Sequence, residues 1–296
     1  MYSLLWVPAT LFAAVFQVGR NAFQRGMMAS TGPWGATLTR FLFGLPFSLL
    51  LVGLVSVATP DARPVFGADL WDAAASGAFS QVLATAALLV AMNRAGFAVG
   101  TAVQQSSLPL AAIIGLIVFH DRLSAPAWIG VAVTTAGLLV LTWPKNAVGP
   151  RPISGALFGL ASGLCFGFSL NAFRHAGLAL EPRRHIYAAV VSVAVVQAMQ
   201  SLVLTMILLA RDPPAVRAVM RGWRESLSAG LCGALASTGW FVALALAPAA
   251  PVRAVGVVEA PIAALAARRL FRERLHPQQI LGGASVLCGV LLTTLC

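Results

Sequence analysis

Apolar and polar positions fall in long blocks along this chain, not in the short alternation of a strand or the stripe of a surface helix. Runs of about 20 apolar residues, enough to cross a bilayer as a helix, are separated by short stretches of Gly, Pro and charge. The blocks predict spans over 3–24, 33–57, 71–92, 98–119 and 125–143. A hydrophilic joint, 144–152, carries Lys145 and Arg151, and further spans follow over 154–173, 186–210, 227–247, 252–270 and 277–295. Barrel strands would be about half as long and would alternate in polarity. In lipid the only other way to satisfy the backbone is helix. The expected fold class is therefore all-α integral membrane, with ten transmembrane helices. Residues 1–6 have no basic leader region, so the first run reads as a helix and not as a cleaved signal.

The chain also matches itself. A shift of 152 pairs Leu83 with Leu235, Val90 with Val242, Ala102-Val103 with Ala254-Val255, and Pro109 with Pro261. The same shift pairs Phe119 with Phe271, Asp121-Arg122-Leu123 with Glu273-Arg274-Leu275, Gly130 with Gly282 and Gly137 with Gly289. Near the start of each half, Asn21-Ala22-Phe23 matches Asn171-Ala172-Phe173. These pairs predict two five-helix repeats, 1–146 and 147–296. An odd number of spans per repeat makes the second enter the membrane from the opposite side, the inverted arrangement of secondary transporters.

Leu108-Pro109, Asp121-Arg122-Leu123 and Gly130…Gly137, doubled as Ala260-Pro261, Glu273-Arg274-Leu275 and Gly282…Gly289, resemble the drug/metabolite transporter superfamily, EamA type. Arg40-Phe41 is similar to that family's arginine in the second span, and Asp121 stands where the family usually has Glu. The resemblance covers essentially the whole chain. It implies ten helices around a central cavity, transport of a small metabolite, and both termini in the cytoplasm.

Composition narrows the classes further. Of 296 residues, 59% are hydrophobic and 10% charged, far from the quarter charged in an average soluble domain. That excludes a soluble enzyme or a nucleic-acid module. The net charge of +11 then reads as basic loops facing anionic lipid, with no nucleic-acid partner. Loops after odd-numbered spans hold about twice the Lys and Arg of the even-numbered ones. By the positive-inside rule that bias would put the termini outside, against the orientation the resemblance implies. Cys165, Cys232, Cys288 and Cys296 lack metal-ligand spacing, and no nucleotide fingerprint appears, so neither a metal nor another cofactor is expected.

The candidate chemistry lies in the few polar residues inside the spans. Glu259 is the acid embedded in an apolar helix, and such residues are functional hypotheses by default. It can carry a proton, hold a cationic amine, or form a structural pair with an arginine. Pro261, two residues on, lacks an N–H and frees the carbonyl near 257. Gln17, Arg20, Asn21 and Gln24 share one helical face, which cannot face lipid. Arg20 reads as a receptor for a substrate carboxylate, a counter-charge to Glu259, or a snorkelling anchor. Gln104, Gln105 and Ser107 precede Pro109 and read as cavity lining, with Asn171 and Trp240 as further members. Of the basic residues, only Arg20 and Arg40 are expected within spans, Arg40 in a structural role. Gly155, Gly159 and Gly163 read as a helix-packing stripe.

The predicted function is a secondary transporter of a small organic solute (amino acid, amine or drug-like) in the cell membrane. It would export by alternating access, possible with proton coupling, as a monomer or homodimer and not as an enzyme. The competing class is an intramembrane enzyme acting on a lipid-like substrate.

Overall fold

The computed structural model describes residues 4–121, 123–142, 152–259, 262–263 and 266. Predicted span ten, the later part of span nine, Pro261, Glu273 and His276 lie outside the described residues. The described chain is helical, in the order α1 (Trp6–Leu42), α2 (Leu45–Ala58), α3 (Ala68–Ala95), α4 (Phe97–Gln104), α5 (Ser107–Ile117), α6 (Ala125–Thr142), α7 (Pro152–Leu180), α8 (His185–Arg211), α9 (Pro213–Arg221), α10 (Trp223–Leu246) and α11 (Ala249–Gly256). No strand occurs among the described residues. Six of their helical stretches are long and apolar enough to cross a membrane.

The first of those stretches runs over Trp6–Ala58, yet it is not one straight rod. Gly32 has φ 64° and ψ 178°, a backbone that L side chains avoid. Gln24 Nε2 donates to the Ala36 carbonyl at 2.6 Å. Twelve residues of continuous helix would separate those positions by about 18 Å, so the chain reverses at Gly32 and Pro33 opens the return pass. Predicted spans one and two are thus distinct passes with a one-residue hinge.

The chain divides into two compact units, Met1–Val82 with Ala172–Ala247, and Leu83–Asn171 with Pro248–Cys296. Each draws on both sides of the 144–152 joint. In the first unit α10 packs along α1 and α8, α2 on α8, and α9 on α1. The helices are amphipathic in the sense opposite to a soluble protein. α8 buries Ser192, Gln197, Gln200 and Ser201 and exposes Leu202, Val203, Met206 and Ile207. Ser48 of α2 donates to Gln197 Oε1, and Gln200 Nε2 donates to Gln81 Oε1 at 3.0 Å and the Ala78 carbonyl at 3.1 Å. Polar side chains bond one another inside while the outward face stays apolar, as a surface against lipid tails requires. Close packing depends on small residues. A Cβ on Gly230 would sit 2.7 Å from the Gly44 nitrogen and closer still to the Phe43 carbonyl.

In the second unit α4 and α5 form one pass broken at Gln105–Ser106. The N–H of Gln105 bonds to the Ala102 carbonyl at 3.0 Å and that of Ser106 to Val103 at 3.1 Å, one residue short of α-helical spacing. Pro109 explains the break. It has no N–H for the Gln105 carbonyl, and its ring crowds that oxygen, which instead takes the Leu108 N–H at 2.9 Å. α11 repeats the pattern. It too has eight residues, starting 152 positions after α4. The Val257 N–H bonds to Ala254 at 3.2 Å and that of Val258 to Val255 at 3.2 Å. The break falls at 257–258, where sequence reasoning places a freed carbonyl. α7 lies on this pass through its glycine stripe, where a Cβ on Gly155 would meet Ala95 Cβ at 2.6 Å and one on Gly159 would meet Val103 Cγ1 at 2.8 Å.

Outside the spans, Glu181 fastens a loop of the first unit. Its carboxylate accepts from the Arg183 N–H at 3.0 Å and the Arg63 N–H at 2.9 Å, beside a Val65 N–H to Leu180 carbonyl bond of 2.8 Å. The two backbone donors, Arg183 first, hold the carboxyl below its usual range. A carboxylate with a depressed folded-state pKa stabilises above its unfolded value, about 4.3, and that contribution is lost as pH falls through the folded value. Protection of the Arg63 and Arg183 amides, relative to their intrinsic exchange rates, should therefore hold at neutral pH and fall on acidification below about pH 4. In Glu181→Gln the acid-induced step should disappear. Packing gives a second expectation. Gly230→Ala should lower the unfolding midpoint in detergent by an amount matching about 1–3 kcal/mol of overpacking. Gly53→Ala, with nothing within 4 Å of the added carbon, should leave or raise it.

Candidate functional site

The predicted stripe on α1 is buried as a unit. Gln17, Arg20, Asn21 and Gln24 are all at most 4% exposed. Trp240 of α10 donates its indole N–H to Gln17 Oε1 at 2.8 Å, so two predicted residues from distant parts of the chain meet. Arg20 donates to Asn21 Oδ1 through Nη2 at 2.7 Å and Nε at 3.2 Å. The fit leaves two groups over, since neither Asn21 Nδ2 nor Gln24 Oε1 has a hydrogen-bond partner. Arg40, also buried, donates to Ser237 Oγ at 3.3 Å and stacks over Phe41 at 4.9 Å. A Cβ on Gly233 would lie 3.0 Å from Arg40 Cγ and 3.5 Å from Arg20 Cδ. The absent side chain is what admits two guanidinium stems here.

In the second unit the broken helices carry the polar side chains. Glu259 is fully buried, and its Oε1 lies 3.1 Å from Nη1 of Arg253, itself 2% exposed. Arg253 Nε donates to Ser107 Oγ at 2.6 Å and Nη2 to Gln105 Oε1. Gln105 Nε2 completes the ring by donating to Glu259 Oε2 at 3.3 Å. The sequence-predicted Gln105, Ser107 and Glu259 are thus brought together at the two helix breaks, around an arginine not expected there. Gln104, 1% exposed, points elsewhere. Neither its amide nitrogen nor its oxygen has a partner, and Thr101 Oγ1, one turn earlier on the same face, has none either. A buried amide unmatched at both ends is rare and calls for water or a ligand. Asn171 is satisfied differently, donating to the Ala111 and Gly167 carbonyls at 2.9 Å each. It lines a water-sized cavity with Asp121, Gly115 and the first residues of α11. Among the described residues no group of three His, Cys, Asp or Glu could hold a metal.

The sequence profile of the EamA-like transporter family matches residues 4–143. Over that segment the chain is similar to the EamA-like transporter family, part of the drug/metabolite transporter superfamily. A solved crystal structure is similar in fold, with a TM-score of 0.65 and 16% identity, covering 99% of this chain and 98% of that one. No curated protein matches. The family consists of transporters, and the long apolar helices make this a multi-pass membrane protein.

In this EamA-like chain the residue that sequence reasoning missed is Arg253. Its position one residue into predicted span nine marks it as a basic residue at a helix end. The signal was present in the repeat: the shift of 152 sets Arg253 opposite Thr101, inside predicted span four. Arg174 lies within α7 and donates to the Leu244 and Ala247 carbonyls at 2.6 and 2.8 Å, holding the end of α10. Of the open readings of Glu259, pairing with an arginine describes the geometry, and the arginine is Arg253. Removing one member of such a pair strands a buried charge at a cost of about 3–5 kcal/mol, whereas removing both costs far less. Arg253→Gln should therefore sharply lower the unfolding midpoint in detergent, and Arg253→Gln/Glu259→Gln should recover most of the loss. Additive single and double effects would mean that the two charges do not interact.

Proposed function

We propose that the protein is a secondary transporter that exports a small organic solute by alternating access, with Glu259 as the proton-coupling group. The observation that carries this reading is the Arg253–Glu259 pair at two helix breaks set 152 residues apart. Interrupted helices near the membrane midplane are where transporters bind solute and coupling ions. A buried ionisable pair in such a place is costly to keep for stability alone.

The chemistry follows from the ring of contacts. Protonation of Glu259 cancels the charge facing Arg253, while Ser107 and Gln105 continue to hold the guanidinium. The ring then loses its ionic link and the two breaks are free to separate. In the second unit Gln104 and Thr101 offer unmatched amide and hydroxyl groups that a polar solute would fill. In the first unit Asn21 and Gln24 leave amide groups unmatched, and Trp240 fixes Gln17 through its indole N–H. The recurrence of the break supports reading 1–146 and 147–296 as two repeats, ten helices in all. Their inverted relation supplies the two mirror-related states that alternating access needs.

Purified protein in proteoliposomes, given a pH gradient and a panel of amino acids, amines and sugars, tests the proposal. Wild type should show saturable, solute-dependent proton movement. Glu259→Gln should lose proton movement and gradient-driven accumulation, while solute-for-solute exchange persists. Accumulation unchanged by the substitution would remove Glu259 from the coupling step, and flux that never saturates would replace the transporter with a channel.

A further inference from the structure

The segment between α8 and α10 is more than a connector. Both flanking helices are long enough to cross a membrane, so residues 212–222 lie at a bilayer boundary. The chain there forms α9. Asp212 caps it by accepting from the Ala215 N–H at 3.2 Å, and Pro213 and Pro214 occupy its first turn, where missing N–H groups cost nothing. One face carries Ala215, Val216 and Val219, all buried. Val216 joins the core of Leu38, Phe41, Leu204 and Leu208, and Ser226 Oγ donates to the Val219 carbonyl at 3.0 Å. α9 is therefore held flat against the ends of its neighbours and does not hang as a loop.

The outward side is different in kind. Arg217 and Arg221 of α9 are exposed, as are Arg211 at the end of α8 and Arg224 at the start of α10, and the acids nearby are Asp212, engaged as the cap, and Glu225. Met220 and Trp223, 53% and 51% exposed, stand among the arginines, and the Arg224 guanidinium lies 5.4 Å from the Trp223 ring centre. Exposed apolar side chains beside a cluster of guanidiniums would be poorly placed in open water. They suit a bilayer interface, where Trp rests at head-group depth and arginines meet phosphate. At the opposite end of α8 the basic residues have acidic neighbours: Arg184 lies 3.7 Å from Asp61, and Arg183 lies close enough to the Glu181 carboxylate to interact with its charge.

We propose that α9 is an interfacial helix whose Arg217 and Arg221, together with Trp223 and Arg224 at the start of α10, bind the head groups of anionic phospholipids in the surrounding bilayer. Guanidinium suits the role, because its planar fork matches two phosphate oxygens at once. Each basic residue near an anionic surface contributes about 1 kcal/mol, or roughly fivefold in affinity.

Native mass spectrometry of the full chain in detergent, titrated with phosphatidylglycerol or phosphatidylcholine, tests this. Wild type should retain phosphatidylglycerol in preference to phosphatidylcholine, and the preference should weaken with added salt. Arg217→Gln/Arg221→Gln/Arg224→Gln should lose it by more than tenfold, while Arg183→Gln/Arg184→Gln, which removes charge at the other end of α8, should keep it. If the triple glutamine variant does not fold, the triple lysine variant decides, since it should retain part of the preference. Equal retention of both lipids by wild type, equal loss in the control pair, or a preference insensitive to salt would overturn the proposal. So would displacement of the lipid by millimolar inorganic phosphate, because the site would then serve a soluble anion.

Discussion

The absence of water from the bilayer interior is the constraint on which the structure depends. A polar group there has no solvent to fall back on and must find a protein partner or pay several kcal/mol. The chain meets this by turning its helices inside out. Gln197 and Gln200 of α8 are buried against Ser48 and Gln81, while Met206 and Ile207 face outward. Hydrophobicity does not drive these helices together, since lipid is as apolar as they are. Small residues at contacts, such as Gly155, Gly159 and Gly230, and hydrogen bonds across helices do that work instead.

Against this background the helix breaks are expensive and informative. Pro109 removes a backbone donor in the middle of a pass, and the chain recovers part of the loss with shorter-spaced bonds at Gln105, Ser106 and Leu108. The side chains at the break then carry Arg253 and Glu259, which are costly to desolvate. The ion pair of 3.1 Å and the bonds to Ser107 and Gln105 offset that cost. An apolar core of the same volume would serve stability as well, so a polar ring at a break is better explained by a task than by packing.

Much of this was legible in the residues. Block length marked the passes, and the shift of 152 fixed the register in which the second break recurs. The i, i+3, i+4, i+7 spacing of Gln17, Arg20, Asn21 and Gln24 located the buried stripe. Three features were not. Arg253 was obscured because charge at the edge of an apolar run looks like a loop, and only three-dimensional pairing with Glu259 makes it affordable inside. The reversal at Gly32 was readable only as a gap between spans, since a positive φ leaves no mark beyond the glycine itself. α9 was hidden because nine residues are too few for a periodicity to stand out, and its arginines merged with the general basic charge of the loops.

The two broken passes share a backbone but not a chemistry. Thr101, Gln105 and Ser107 in the first occupy the positions of Arg253, Val257 and Glu259 in the second. The two shortened bonds recur in both passes, and the first makes them with neutral side chains of its own, so this local turn does not require a charged residue on its own helix. The charges therefore act on top of a backbone that would bend without them. The first copy contributes the hydrogen-bonding groups, Ser107 and Gln105, and the second contributes the ion pair they support. Two fully charged copies would double the desolvation cost. With the groups divided between the matched breaks, the neutral pass supplies the hydrogen-bonding partners that the buried ion pair of the other requires.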